Sequence, residues 1–376
     1  MEFIIPVDTL QHIVTQMSQV IKIASDDVTS MVLIEVLEDR VKFYGTSDSV
    51  YVVMTARDCE VIENGKIILQ LRDISNYISK FTPLSDGFGT KNFRIAADDR
   101  EGIIKTKTYL ASGKSSYRTL KFKTFNIGLL PLVKDFDEAQ LIINSDILLE
   151  GLNRIIHCVD PSEIREALAG VYIAINKDEI VFAGTNGIKL AESRLQIVAD
   201  IEQSQYVLKF SVAHAMKQLL DHNAQVFIKF EGQDVYIKCN DVYISGGIVL
   251  NEPYPDYKPA LQSYEKIISI PRYDLIDSMS TVVGVLDQED NNRLTIVFND
   301  NKMLLKNDRL EVVHEFDYKF EHNLDVDING VYLLAMITNF VGKTLEICFI
   351  DNNRPLIFRD KENIDNTALL MLLRRR

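Results

Sequence analysis

The side chains that usually do chemistry are present in this chain, but not at the spacings catalysis requires. None of the six histidines falls in the HxxxH or HExxH pattern that turns two imidazoles toward one metal. The four cysteines, Cys59, Cys158, Cys239 and Cys348, lie far apart with no CxxC pair. Neither a zinc site nor a disulfide framework is expected, and buried reduced thiols suit a cytoplasmic protein. There is no GxxxxGK followed by Ser or Thr, and no strand running into GxGxxG, to cradle a phosphate. No serine sits in a GxSxG elbow. GFG at 87–89 reads as a turn, and the pairs Asp26–Asp27 and Asp98–Asp99 read as solvated turn carboxylates. No catalytic residue, metal or cofactor is expected.

Three segments are more distinctive. REALAGVYIAINKDEIVFAGTNGIKLAES (165–193) is strand–turn–strand, passing through Thr185, Asn186 and Gly187 to Lys189 and Leu190. PYPDYKPAL (253–261) reads by itself as a linker, because proline resists both helix and central strand. NNRPLIFRDKENIDNTALLMLLRRR (352–376) is a hairpin whose last strand, ALLMLL, ends in three arginines. Such an apolar run, if exposed, is an aggregation risk and therefore hints at a binding surface.

These segments must be held by a scaffold, and the scaffold is a repeat. A short apolar strand, a polar turn and an amphipathic helix recur six times, at 3–17, 66–82, 141–155, 205–222, 268–282 and 323–340. Each helix carries one apolar stripe, such as Val7, Leu10, Ile13, Val14 and Met17. Asp8, Asp146, Ser211 and Asp274 stand near helix starts, where a side-chain oxygen satisfies free N–H groups. Between helices the period is two, as in VKFYGT (41–46), KNFRIAAD (91–98), IIKTKTYLA (103–111), SYRTLKFKTF (116–125), QVFIKFEG (225–232) and DVYIKCND (234–241). Each unit of about sixty residues is one helix with about four strands, which builds antiparallel α+β layers rather than a doubly wound parallel sheet.

No apolar run approaches ~18 residues, so no membrane span or membrane partner is expected. The start, MEFIIPVDTL, lacks the marks of a signal peptide. The connectors 126–140 and 251–266 divide the chain into three expected domains, 1–126, 138–255 and 264–376, with two repeats each. The net charge of −13 argues against nucleic acid until it is resolved by segment. The helix-bearing segments 7–24, 66–82, 145–159, 205–222, 268–286 and 324–343 together carry no net charge, so the acidic excess lies in strands and loops.

Taken together, the segments resemble the bacterial replicative sliding clamp, the β subunit of DNA polymerase III. REALAGV and AGTNGIKLA stand where that family has its second-domain strand and turn. Tyr254-Pro255-Asp256-Tyr257 matches its linker, and RPLIF with LLMLLRRR resembles its C-terminal end. The order and spacing hold along the whole chain. Three departures mark a divergent member, of a kind a bacteriophage could encode. Asp26 and Asp27 stand where the family has a basic loop residue. Ile188-Lys189 replaces a His-Arg pair, and Leu372 replaces a proline.

The resemblance implies a three-domain clamp fold of six βαβββ-like modules, with helices on an inner face and sheets outside. It implies a non-catalytic, cytoplasmic processivity factor, closed as a head-to-tail homodimeric ring around double-stranded DNA without reading its sequence. Polymerase and clamp loader would dock through short peptides. Their pocket would comprise Leu168, Thr185, Gly187, Ile188, Lys189, Leu190, Pro255, Pro259, Ala260, Pro355, Leu370, Met371, Leu372, Leu373 and Arg374, an apolar groove rimmed by Lys189 and Arg374. Lys22, Arg72, Lys80, Arg154, His157, Lys217 and Arg272 would face DNA, and Tyr117 and Thr119 would meet Val285 and Leu286 at the dimer interface. The competing expectation is a repeat-built protein-interaction scaffold that does not encircle DNA.

Overall fold

The computed structural model describes residues 1–21, 30–47, 49–98, 100–125, 136–199, 201–262 and 264–375. Lys22, Asp26, Asp27 and most of the 126–140 connector lie outside these.

The expected repeat is realised six times, each as strand, helix and three strands. The first module is β1 (Glu2–Pro6), α1 (Val7–Val20), β2 (Met31–Val36), β3 (Val41–Ser47) and β4 (Val50–Ala56); the short β5 (Glu60–Glu63) follows it. The second is β6 (Gly65–Gln70), α2 (Leu71–Ile78), β7 (Gly89–Ala97), β8 (Glu101–Tyr109) and β9 (Ser115–Lys123). The third is β10 (Leu141–Asn144), α3 (Ser145–Ile155), β11 (Gly170–Ile175), β12 (Glu179–Thr185) and β13 (Lys189–Gln196). The fourth is β14 (Ser204–Lys209), α4 (Phe210–Leu219), β15 (Gln225–Glu231), β16 (Asp234–Cys239) and β17 (Val242–Gly247). A single helical turn, α5 (Lys258–Leu261), separates it from the fifth: β18 (Lys266–Pro271), α6 (Arg272–Val283), β19 (Arg293–Asn299), β20 (Lys302–Lys306) and β21 (Glu311–Glu315). The sixth is β22 (Leu324–Asn329), α7 (Gly330–Ile337), β23 (Thr344–Phe349), β24 (Leu356–Asp360) and β25 (Asn366–Leu370).

The chain folds into two compact units, Met1–Asp146 with Ser211–Ile248, and Ile147–Phe210 with Val249–Arg376. The first holds a five-stranded sheet, β5-β1-β7-β8-β9, and an eight-stranded sheet, β10-β15-β16-β17-β4-β3-β2-β6. The second holds an eight-stranded sheet, β14-β11-β12-β13-β25-β24-β23-β18, and a four-stranded one, β21-β20-β19-β22. All named strand pairs are antiparallel, as in the junctions β17–β4 and β13–β25. The segment 138–255 therefore contributes strands to both large sheets, which is why the compact units do not follow the expected domain boundaries.

The stripes read from the sequence form the cores. Leu10, Met17, Leu152, Leu275 and Leu333 are at most 1% exposed. Helix starts depart from the expectation in detail. Asp8 and Asp274 occupy first turns behind Pro6 and Pro271, which stand at the cap positions. Asn329 caps α7 instead, accepting from the Tyr332 N–H at 2.9 Å.

Candidate functional site

The expected peptide site lies within the second unit, where β13 meets β25. The turn between β12 and β13 is built from its own polar atoms. Thr185 Oγ1 donates to the Lys189 carbonyl at 2.8 Å and accepts from the Gly187 N–H at 3.1 Å. Asn186 Oδ1 accepts from the N–H groups of Ile188 and Lys189, both at 3.1 Å. Gly187 has φ +82°, a conformation that costs a side-chain-bearing residue energy. The turn thus holds Ile188 outward, 46% exposed, while Leu190 is 5% exposed.

Register then brings the C-terminus beside the turn. Lys189 stands opposite Leu370 and Leu190 opposite Leu369, and the Met371 N–H donates to the Ile188 carbonyl at 2.9 Å. Beyond β25 the chain runs on without ladder pairing. The Leu373 N–H donates to the Asp327 carbonyl at 2.7 Å, Arg293 donates to the Arg374 carbonyl at 3.1 Å, and Arg375 pairs with Asp325. The expected last strand is therefore shorter than ALLMLL, and that run is not an exposed apolar strip. Ala368, Leu369 and Leu370 are at most 7% exposed, and Met371, at 42%, is its outward member.

The proline segment is anchored rather than a free linker. Tyr257 and Leu261 are buried in one cluster with Ala183, Leu190, Cys348, Ile357 and Leu369, and Tyr254 packs against it. Tyr254 stacks on Tyr172 with ring centroids 4.8 Å apart. The Tyr257 hydroxyl donates to Glu192 Oε2 at 2.6 Å; burial first, and then the Glu192 charge, push its pKa well above the usual phenol range. Pro259 sits in the first turn of α5, where its missing N–H costs nothing. Pro255, Pro259 and Ala260 themselves are exposed. Leu168 is 3% exposed in the loop before β11, and Pro355 is half-buried just before β24.

The two expected rim cations differ. Arg374 is exposed. Lys189 turns its ammonium onto the His157 carbonyl and over the Tyr332 ring, 4.6 Å from the centroid; burial lowers its pKa. The turn, α5 and the end of β25 thus meet around the cluster of Leu190, Tyr257, Leu261 and Leu369. The signal that sequence reading missed is the aromatic anchor of Tyr172, Tyr254 and Tyr257.

The expected DNA-facing set is divided. Arg72 and Lys80 are exposed at either end of α2, and Lys217 on α4 is half-buried. Arg154 and Arg272 depart from the expectation, being only 8% and 7% exposed. Arg154 pairs with Glu150 one turn away on α3, while Arg272 Nε donates to the Gly342 carbonyl at 2.8 Å. Burial raises the pKa of the fully buried Asp360, opposed first by the N–H groups of Val341 and Gly342 and then by the charges of Arg154 and Arg272. His157 is half-buried, with its carbonyl held by Lys189. At the expected dimer interface, Tyr117 is 75% exposed on β9, an edge strand, and Thr119 beside it is also exposed. Val285 is 42% exposed just beyond α6, next to a half-buried Leu286.

Six βαβββ modules in one chain define a DNA-clamp fold, and the comparisons agree. The fold matches a solved DNA polymerase III subunit beta from Borrelia burgdorferi with a TM-score of 0.85 at 19% identity, over 100% of this chain and 98% of that one. Residues 142–256 match the family model described as DNA polymerase III beta subunit, central domain. The beta sliding clamp of Chlamydia muridarum is 22% identical over 364 residues, spanning 96% of this chain and 89% of the relative. That of Staphylococcus aureus is also 22% identical, over 100% of this chain and 99% of the relative. The chain is thus similar along its length to bacterial DNA polymerase III beta subunits, the family its motifs resemble.

Proposed function

We propose that this protein is a DNA sliding clamp: a non-catalytic processivity factor that closes as a homodimeric ring on duplex DNA and tethers a replicative polymerase. The observation that carries the reading is the sixfold βαβββ series, matched along its whole length by beta-subunit structures. Six modules per chain require two chains for a twelve-module ring. The strands β9 and β21 stand at sheet edges with unpaired backbone groups, and pairing them between protomers removes two sticky edges. The central-domain match over 142–256 supports the division into three domains.

DNA contact would be electrostatic and independent of sequence, through Arg72, Lys80, Lys217 and Lys22. Polymerase and loader peptides would lay an aliphatic or aromatic anchor beside Thr185–Leu190, Met371 and the Pro255–Ala260 segment. The burial of Arg154 and Arg272 thins the positive face and favours, as the second reading, a scaffold that does not encircle DNA.

The deciding experiment loads the protein onto circular DNA with a competent clamp loader, then cuts the circle. A clamp is retained on the closed circle and released on linearisation. Equal retention on both, or none on either, supports the scaffold.

A further inference from the structure

The two eight-stranded sheets are wired alike. In the second unit, the strands that follow α3 (β11, β12, β13) meet those that follow α7 (β25, β24, β23). In the first, the strands that follow α4 (β15, β16, β17) meet those that follow α1 (β4, β3, β2). The junction β17–β4 is therefore the counterpart of β13–β25. The match extends to single hydrogen bonds. Val242 opens β17 opposite Met54, and the Thr55 N–H donates to the Asp241 carbonyl at 2.9 Å. Lys189 opens β13 opposite Leu370, and the Met371 N–H donates to the Ile188 carbonyl at the same 2.9 Å. Even the helix residue facing the turn corresponds. Thr9, third in α1, lines the cleft of the first unit, and Tyr332, third in α7, lies under the Lys189 ammonium.

At this counterpart position the first unit has an open cleft of about 740 Å³, within the size range of ligand-binding clefts. Its floor is apolar, from buried Ile13, Met54 and Val242. Its rim is acidic where the other junction has the exposed Arg374. Among the described residues, Asp58, Asp221 and Asp241 line it together with His12 and one guanidinium, that of Arg57, already held by Asp241 at 2.7 Å. Asp58 is braced by the Thr9 hydroxyl at 2.5 Å and Asp221 by the Asn240 amide at 2.8 Å, so both carboxylates are held at the rim.

We propose that this cleft is a second peptide-docking groove, and that its occupant is a basic segment of a partner protein, with an aliphatic anchor on the Ile13–Met54–Val242 floor and Lys or Arg side chains on Asp58 and Asp221. Charge complementarity selects the occupant: the carboxylate rim repels nucleic acid and acidic peptides. The groove differs from the Thr185–Leu190 site in unit, residues and charge, so each can fail without the other.

The test is a fluorescence-anisotropy titration of the full-length protein with a labelled nine-residue peptide of alternating lysine and leucine. An otherwise identical glutamate–leucine peptide serves as control. The basic peptide binds the wild type, the acidic one does not, and added salt weakens binding. Double reversal by Asp58→Lys and Asp221→Lys, both exposed positions, weakens binding by about tenfold or more. Deleting Leu372–Arg376 leaves it unchanged. The circular dichroism of the double variant verifies folding. The milder Asp58→Asn with Asp221→Asn serves if the reversal does not fold. No binding to wild type, equal binding to wild type and rim variants, or loss on tail deletion each overturns the proposal.

Discussion

At the residue scale, the turn Thr185–Leu190 shows what a short motif can and cannot announce. Thr185, Asn186 and Gly187 read as a turn because each has a local reason to be there, and the hydrogen bonds of the turn use those side chains. What the motif could not announce is where Lys189 points. Its ammonium is consumed by the His157 carbonyl and the Tyr332 ring, partners that come from distant parts of the chain. Glu192 is equally hidden from sequence reading. It is 6% exposed and is held by Tyr257 and by Arg194, the latter at 2.8 Å. Tyr257→Phe removes one donor from this buried carboxylate and should destabilise the fold by about 1–3 kcal/mol, read from urea unfolding. Asp360 supplies a pH signature. Burial raises its pKa above 3.8, so the folded state binds the proton more tightly than the unfolded one. Its contribution to stability therefore falls as pH rises from the unfolded aspartate value through the folded one, and the cost is complete above that. Unfolding free energies of wild type and Asp360→Asn, compared from about pH 4 to 7, should show this decline in the wild type and not in the variant.

At the element scale, the helices rest on their sheets closely enough to dictate small residues. A Cβ at Gly151 in α3 would stand 2.2 Å from Cδ2 of Phe182 in β12. Gly151→Ala should cost about 1–3 kcal/mol despite the higher helix propensity of alanine, because the overlap outweighs the ~1 kcal/mol propensity gain. A denaturant midpoint shift toward lower urea is the readout. The C-terminal tail behaves differently. Past Met371 it is held by single contacts to Asp327, Asp325 and Arg293 rather than by a ladder. If the proposed clamp reading holds, deleting Leu372–Arg376 should abolish binding of a polymerase-derived peptide while the thermal unfolding and the particle mass stay unchanged. Undiminished peptide binding would remove the tail from the pocket. Alternation and periodicity made β3, β7, β8, β9, β15, β16 and the six main helices legible, since each depends on its own residues. The anchored 254–261 segment was not legible: Pro255 and Pro259 exclude a strand, but only the facing cluster of Leu190 and Leu369 turns Tyr257 and Leu261 inward.

At the scale of the whole molecule, the repeat predicts the assembly. Six modules per chain should give a particle of twice the chain mass, 42.9 kDa each, in sedimentation or light scattering. Placing a lysine at Tyr117, on the β9 edge, should shift that particle toward the monomer while leaving its circular dichroism unchanged. A ring that survives would move the interface elsewhere. The net charge of −13 makes any DNA contact depend on local patches. Retention of a topologically closed ring should therefore resist salt that dissociates electrostatic binding to linear DNA.

By itself the sequence determined the number and kind of modules, because helix and strand periodicity are local properties repeated six times. It also determined which turn, linker and tail break the pattern. Only the tertiary structure decided which charged groups remain available. Arg154, Arg272 and Lys189 look like surface cations one residue at a time. Arg154 pairs with Glu150 on its own helix, while long-range packing brings the Gly342 carbonyl to Arg272 and the His157 carbonyl and Tyr332 ring to Lys189, and a buried charge is tolerated only with such partners. The same packing set β17 against β4 as it set β13 against β25, a correspondence that strand pairing alone creates.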